Sequence, residues 1–114
     1  MKGLNKMSGN IKYWIPKNRY YELKYYCLQY FHFKDLVERK NVSEAIREGA
    51  QKAIYNIESS IQDVNCTFGD ILLKAITDGM AYSKFPKDVK MPPEDAFFDA
   101  YRKYFYFLSK KKGI

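Results

Sequence analysis

The C-terminal stretch of the chain reads PPEDAFFDAYRKYFYFLSKKK over residues 92–112 and carries the signals of a complete helix. Pro92 and Pro93 suit a first helical turn but are not tolerated inside a helix. Glu94 and Asp95 complement the positive end of the helix dipole, and the closing lysines complement its negative end. The pattern predicts a helix that begins near Pro93 and ends near residue 112.

The apolar side chains in this stretch recur at the spacing of one helical face. The residues expected to contact the core are Phe97, Phe98, Tyr101, Tyr104, Phe105 and Leu108. The residues expected to face outward are Asp99, Arg102, Lys103 and Tyr106. The helix is therefore expected to close the core with its aromatic side.

A first helix is predicted near the other end of the chain. A short extended apolar segment over residues 11–15 stops at Pro16, and Asn18 can cap a helix of about residues 19–40. Its apolar stripe comprises Leu23, Tyr26, Cys27, Tyr30, Phe33 and Val37, and several further aromatic residues lie outside that stripe. This helix is expected to present a broad aromatic surface, mostly to the core.

Two more helices are predicted between these. The second is capped by Asn41 or Ser43 and carries a stripe with Ile46 at one end and Val64 at the other, while its polar side includes Asn56. Gly49 in its middle is expected to mark a close helix contact. The third begins at Thr67 or Phe68 and runs to Asp78, where Gly79 stops it.

No strand pattern stands out, so the fold class is predicted to be all-α. We expect one small domain of about four to five helices over residues 11–112, preceded by a flexible basic arm over residues 1–10. Residues 80–85 are expected to form one or two helical turns before the last helix. That order predicts a C-terminal helix-turn-helix-like unit within about residues 70–108.

Positive charge is concentrated at the two ends of the chain. Residues 1–20 carry five basic and no acidic groups, residues 21–83 carry seven basic and nine acidic groups, and residues 84–114 carry eight basic and four acidic groups. If the ends converge in space, this distribution suits contact with phosphates. The plainer interpretation is that solvated lysines keep the chain soluble.

The sequence therefore predicts double-stranded DNA as a partner, bound through residues 80–103 with help from the arm and the tail. The candidate nucleic-acid-binding residues are Lys84, Lys87, Lys90, Arg102, Lys103, Lys110 and Lys111. Glu94 and Asp95 weigh against direct base reading, because carboxylates at the start of a recognition helix repel phosphates.

The sequence offers little for catalysis or metal binding. His32 lies between two phenylalanines without an acid or nucleophile pattern nearby, and neither Cys27 nor Cys66 has a partner at ligand spacing. We therefore expect no enzyme, no cofactor and no metal. No apolar run resembles a signal peptide or a membrane span, so a cytoplasmic protein is predicted.

The aromatic content supports two other hypotheses. The chain has eleven tyrosines, eight phenylalanines and one tryptophan, and such side chains make good anchors in protein interfaces. One alternative is a protein-binding module that modifies host machinery, such as RNA polymerase or a defence complex. The other is a phage structural or packaging component whose apolar stripe forms a homo-oligomer.

Two parts of the chain carry a resemblance to a known group of proteins. YWIPKNRYYELKYYCLQY at residues 13–30, and LKAITDGMAY at 73–82 with YRKYF at 101–105, resemble small proteins encoded in phages and prophages of Gram-positive bacteria. That group is similar to the RinA/ArpU-type regulators of late phage transcription and, more distantly, to region 4 of sigma factors. The resemblance implies a helix-turn-helix and a transcriptional role. Glu94 and Asp95 depart from the polar or basic opening expected of its recognition helix.

Overall fold

The computed structural model describes residues 11–113, which form five α-helices and two 3₁₀ turns. The helices are α1 (Lys17–Leu28), α2 (Tyr30–Glu38), α3 (Glu44–Val64), α4 (Gly69–Asp78) and α5 (Glu94–Lys111). The turns are Ile11–Tyr13 and Tyr82–Lys84. No strand occurs in the described residues, so the all-α prediction is confirmed. The arm predicted over residues 1–10 lies outside the described residues.

Helix α5 begins and ends where its sequence signals place it. Pro93 is the N-cap, and its carbonyl accepts a hydrogen bond from the Phe97 N–H at 2.9 Å. Phe98 was expected in the core, but 43% of it is exposed. The interior position at this turn is occupied by Phe97, whose ring lies 5.1 Å from that of Tyr82. Phe98 therefore lies at the edge of the core.

The predicted first helix is divided into α1 and α2 at Gln29. The Gln29 N–H donates to the Tyr26 carbonyl, three residues back, at 3.2 Å. The Tyr25 carbonyl, which a regular helix would pair with that N–H, instead accepts from the Gln29 side-chain amide at 3.4 Å. The glutamine side chain thus satisfies the backbone group left over by the tighter turn, and α2 continues at once.

The start of α3 is fixed by the capping side chain of Ser43 and by Arg47, which binds the end of α2. Ser43 Oγ accepts from the Ile46 N–H at 3.3 Å, which confirms the predicted serine cap. The Arg47 guanidinium donates to the carbonyls of Val37 at 3.2 Å and Arg39 at 2.6 Å, at the end of α2. These bonds hold the end of α2 against the first turns of α3.

Three predictions for α3 are corrected. Ile46, expected on the buried stripe, is 52% exposed because the buried part of the helix begins only at Ala50. Asn56, expected on the polar side, is only 8% exposed, and its amide donates to the Tyr26 hydroxyl at 3.5 Å. A Cβ on Gly49 would meet no atom within 4 Å, so this glycine marks open space and no close helix contact.

The segment after α4 does not confirm the helix-turn-helix. Gly79 ends α4 with φ of 66°, as predicted. Residues 79–93 then separate α4 from α5, and they contain only the three-residue 3₁₀ turn Tyr82–Lys84. A helix-turn-helix joins its helices by about three or four residues. The predicted extended segment at residues 11–15 is also corrected, since Ile11–Tyr13 is a 3₁₀ turn.

The core is built where α1, α3 and α5 meet, with α4 closing one side. Tyr104 of α5 is fully buried, donates its hydroxyl to the Ile57 carbonyl at 2.9 Å and lies 3.6 Å from Cys27 Sγ. At the edge of the core the hydroxyls of Tyr20 and Tyr101 are 3.1 Å apart. Burial raises the pKa of Tyr104 and of Tyr101 above the ordinary tyrosine value, and it raises the pKa of Cys27 to about 12. The core therefore holds these groups neutral.

None of the helices in residues 11–113 is long and apolar enough to cross a lipid bilayer.

Replacing Gly79 and Gly49 with alanine is expected to change the stability of the fold in opposite directions. Gly79→Ala should destabilise the fold by about 1–2 kcal/mol, because φ of 66° disfavours a Cβ and that atom would lie 3.0 Å from Leu28 Cδ2. Gly49→Ala should stabilise the fold by up to about 1 kcal/mol, because it sits inside α3 with open space around it. Urea unfolding measures both changes, and effects of the same sign would contradict this account.

The buried tyrosines predict a loss of stability at high pH. Because folding raises the pKa of Tyr104, the folded state holds this proton more tightly than the unfolded state does. The stabilisation that results from this raised pKa is fully present below the unfolded tyrosine pKa of 10.0. It is lost as the pH rises above that value. Thermal unfolding from about pH 8 to about pH 11 should show the decline.

Tyr104→Phe provides the control for this pH dependence. Loss of the hydrogen bond to Ile57 should lower stability at neutral pH by about 1 kcal/mol. Its alkaline decline should be shallower than that of the wild type, because one buried group no longer titrates. An equally steep decline in the two proteins would show that Tyr104 does not contribute.

Candidate nucleic-acid interface

The N-terminal 3₁₀ turn packs on the outward side of α5. The turn Ile11–Tyr13 contacts α5, and the ring of Tyr13 lies edge-on to Tyr106 with their centroids 5.2 Å apart. Tyr13 also lies 6.0 Å from Phe107. Aromatic pairs at these separations add to the stability given by their burial. The first described residues of the chain are thus held against its last helix.

Three lysines surround these rings. Lys103 Nζ lies 5.2 Å from the centroid of the Tyr13 ring, and Lys12 Nζ lies 5.4 Å from the same centroid. Lys110 Nζ lies 5.5 Å from the Tyr106 ring. Residues 103, 106 and 110 are three and four positions apart, so they share one helical face. We call Lys12, Tyr13, Lys103, Tyr106 and Lys110 the basic patch.

Asp99 moderates the charge at one end of the basic patch. Its carboxylate lies 3.1 Å from Lys103 Nζ and 3.9 Å from the Arg102 guanidinium. These groups are partly exposed, so each pair contributes only about 0–1 kcal/mol and can exchange for contact with a phosphate. In residues 11–113, Lys12 and Lys110 have no carboxylate within ion-pair distance. The patch keeps a net positive charge.

The seven predicted binding residues lie in different parts of the surface. Lys103 and Lys110 belong to the basic patch, and Arg102 lies beside it, paired with Asp99. Lys111 turns toward α3, where its Nζ lies 2.6 Å from the Asp63 carboxylate.

Lys84, Lys87 and Lys90 are exposed, but they belong to the segment that precedes α5. Helix α5 has 18 residues and is therefore about 27 Å long. Lys110 lies near its far end. The predicted residues are thus divided between the segment before α5 and the second half of α5, where Lys103 and Lys110 lie.

The start of α5 presents acidic groups. Glu94 and Asp95 are both exposed, and Asp95 accepts a hydrogen bond from the Ala96 N–H at 2.9 Å. Two carboxylates in the first turn agree with the dipole argument made from sequence. The first turn of α5 offers nucleic acid a negative surface, whereas the positive surface lies in the second half of the helix.

Sequence reasoning did not find Lys12, Tyr13 and Tyr106 as members of the site. The sequence pattern that could have indicated Lys12 and Tyr13 is a basic residue followed by two aromatic residues, Tyr13 and Trp14. In the structure Trp14 is 60% exposed. The signal for Tyr106 was its helical spacing from Lys103 and Lys110. Neither signal could show that these segments touch, because that contact depends on the packing of α5.

No group of three or more His, Cys, Asp or Glu side chains in residues 11–113 is arranged to hold a metal ion. His32 is exposed on α2, and Cys27 and Cys66 are free thiols.

Comparison with protein-family models, with curated proteins and with solved structures found no match for this chain. The resemblance to phage proteins therefore stays a prediction.

Proposed function

We propose that the protein binds double-stranded DNA through the basic patch formed by the N-terminal turn and the second half of α5. One observation carries the proposal: the two basic ends of the chain meet, since Lys12 and Lys103 lie over the same tyrosine ring. Phosphate binding depends on the local density of positive charge. The charge distribution of the sequence becomes a DNA-binding surface only if its ends converge in this way.

The basic patch also lies far enough from Glu94 and Asp95 for their carboxylates to repel a bound phosphate only weakly. These carboxylates lie in the first turn of α5, and Lys103 lies about 14 Å further along the helix axis. At physiological salt the Debye length is about 8 Å, so exposed charges at that separation are largely screened from each other. A phosphate bound at the patch therefore meets little repulsion from the acidic turn.

The patch suits contact with phosphates better than reading of bases. Its charged groups are lysines, which act as point charges and lack the bidentate geometry with which arginine reads guanine. Arg102, beside the patch, is the residue best placed to add sequence preference, once a phosphate or base replaces Asp99 as its partner. We therefore propose a DNA contact dominated by the backbone.

The biological role that we propose is regulation of transcription, in the cytoplasm of a bacterial host. It is supported by the resemblance of residues 13–30 and 101–105 to phage-encoded proteins, and the basic patch draws on both of these parts of the chain. Tyr13 belongs to the first part, and Lys103 belongs to the second.

Removing charge from the patch is expected to weaken DNA binding and its dependence on salt. Wild-type affinity for duplex DNA should fall with salt along a log-log slope of about −3 to −4, as for three or four neutralised phosphates. The double variant Lys103→Gln/Lys110→Gln should lower affinity at least tenfold at about 50 mM salt and reduce the slope by about two units. Fluorescence anisotropy with a labelled duplex measures both quantities.

The matched control is Lys84→Gln/Lys87→Gln, which removes the same charge from the segment before α5. It should leave the affinity within about twofold of the wild type, and circular dichroism should show both variants folded. A larger loss in the control than in the patch variant would place the DNA contact at the predicted helix-turn-helix instead. A wild-type affinity that does not change with salt would rule out DNA binding through phosphates.

A second candidate function is binding of a host protein, and a stripe of exposed side chains on α1 favours it. Tyr21, Tyr25 and Leu28 are 53%, 71% and 41% exposed. They are four and three positions apart, so they share the face of α1 opposite the buried residues Leu23 and Cys27. Exposed tyrosines of this kind are typical anchors of protein interfaces.

The double variant Tyr21→Ala/Tyr25→Ala tests this second function. Capture of one host protein from nuclease-treated lysate should be lost in this variant and kept in Tyr55→Ala, whose side chain on α3 is 67% exposed. Equal capture by the two variants would exclude the stripe as the docking surface. If sedimentation instead shows self-association that only the stripe variant loses, the stripe binds a second copy of the chain.

A further inference from the structure

A cleft on the opposite side of α5 from the basic patch has the chemistry of a binding site. Tyr26 of α1 and Phe33 of α2 form one wall, Lys52 and Asn56 of α3 form another, and Lys112 closes it at the end of α5. The cleft is an open groove, and its volume is about 380 Å³. We call these five residues the lysine cleft.

The lysine cleft is positively charged. Lys52, Lys111 and Lys112 line it, and none of its lining residues is acidic. Lys111 is held by the carboxylate of Asp63 at 2.6 Å, whereas Lys52 and Lys112 form no ion pair with any described residue. Lys112 Nζ lies 4.0 Å from the centroid of the Tyr26 ring, so a cation–π contact holds this ammonium at the wall. Two ammonium groups without a carboxylate partner therefore favour an anionic ligand.

The remaining lining suits a planar group. The rings of Tyr26 and Phe33 lie 5.6 Å apart and offer an apolar wall. Asn56 is only 8% exposed, and its amide makes one hydrogen bond, to the Tyr26 hydroxyl, at a long 3.5 Å. An amide offers two donor hydrogens and an acceptor oxygen, so Asn56 can also form a hydrogen bond with a ligand. Aromatic rings and an amide beside cations are the groups that bind a base and its phosphate.

Gly49 leaves one border of the cleft open. It lies inside α3, where glycine is the least favourable residue after proline, and it borders the cleft. A Cβ there would meet no atom within 4 Å, so helix packing does not require glycine at this position. A side chain at residue 49 would instead extend toward the cleft.

We propose that the lysine cleft binds a nucleoside monophosphate, with the phosphate at Lys52 and Lys112 and the base against Tyr26, Phe33 and Asn56. The carbonyl end of α5 repels anions, so the lysine side chains must supply the attraction. This site shares no residue with the basic patch. The proposal is therefore independent of the proposed DNA binding.

Calorimetric titration of the wild-type protein tests the proposal. The ligands are the four ribonucleoside 5′-monophosphates, with adenosine and inorganic phosphate as partial ligands, at about 50 mM salt. At least one nucleotide should bind saturably below about 1 mM. Adenosine and phosphate should each bind at least about tenfold more weakly, because each uses half of the site. Absence of saturable binding by all four nucleotides would overturn the proposal.

Two kinds of variant locate the bound nucleotide. Gly49→Leu should abolish binding by filling the cleft while it raises the melting temperature, because leucine is a far better helix former. Lys52→Gln should weaken binding at least about tenfold, whereas the matched control Lys87→Gln should leave it unchanged. Loss of binding with a raised melting temperature cannot be explained by unfolding.

The same titrations separate this proposal from the DNA proposal. If Lys103→Gln/Lys110→Gln abolishes nucleotide binding and Gly49→Leu keeps it, the nucleotide binds the basic patch and the lysine cleft is not its site. If Gly49→Leu loses the nucleotide and still binds duplex DNA with wild-type affinity, the two sites are separate, as we propose.

Discussion

The side chain of Tyr104 is fully buried, and its hydroxyl must find a partner there because an unpaired polar group in the core is costly. It donates to the Ile57 carbonyl of α3 at 2.9 Å and lies 3.6 Å from the thiol of Cys27 in α1. One residue thus contacts both of the other core helices. It fixes how far α5 is rotated about its own axis, and every other position on α5 follows from that rotation.

Two surfaces depend on this rotation. With Tyr104 inward, Lys103 and Tyr106 point to the side where the N-terminal turn packs, and the two basic ends of the chain meet. Lys111 points to the other side and pairs with Asp63 of α3, beside the lysine cleft. The other described ion pairs join residues three or four positions apart, so this is the described ion pair that joins α5 to α3. The basic patch and the lysine cleft are therefore opposite faces of one docked helix.

The features that the sequence predicted correctly have local causes. The limits of α5, the Ser43 cap and the stop at Gly79 depend on residues within one helical turn of the feature. The division of the first predicted helix at Gln29 also has a local cause. The Gln29 side chain binds the Tyr25 carbonyl, and the spacing of apolar residues does not reveal such a bond.

Burial at the edges of the apolar stripes could not be predicted in this way. Asn56 is buried because the Tyr26 hydroxyl, 30 positions away, comes within 3.5 Å of its amide. The candidate site had the same limitation. The charge distribution indicated that the ends matter, but which lysines meet depends on how Tyr13 packs on Tyr106, 93 positions away along the chain.

The central claim is that the DNA-binding surface lies where the N-terminal turn meets the second half of α5. Amide chemical-shift mapping by NMR during titration with a short duplex tests it most directly. The account predicts that the largest changes fall at residues 12–14 and 102–110, with small changes at residues 84–95. Changes concentrated at residues 84–95 and absent from residues 12–14 would contradict it.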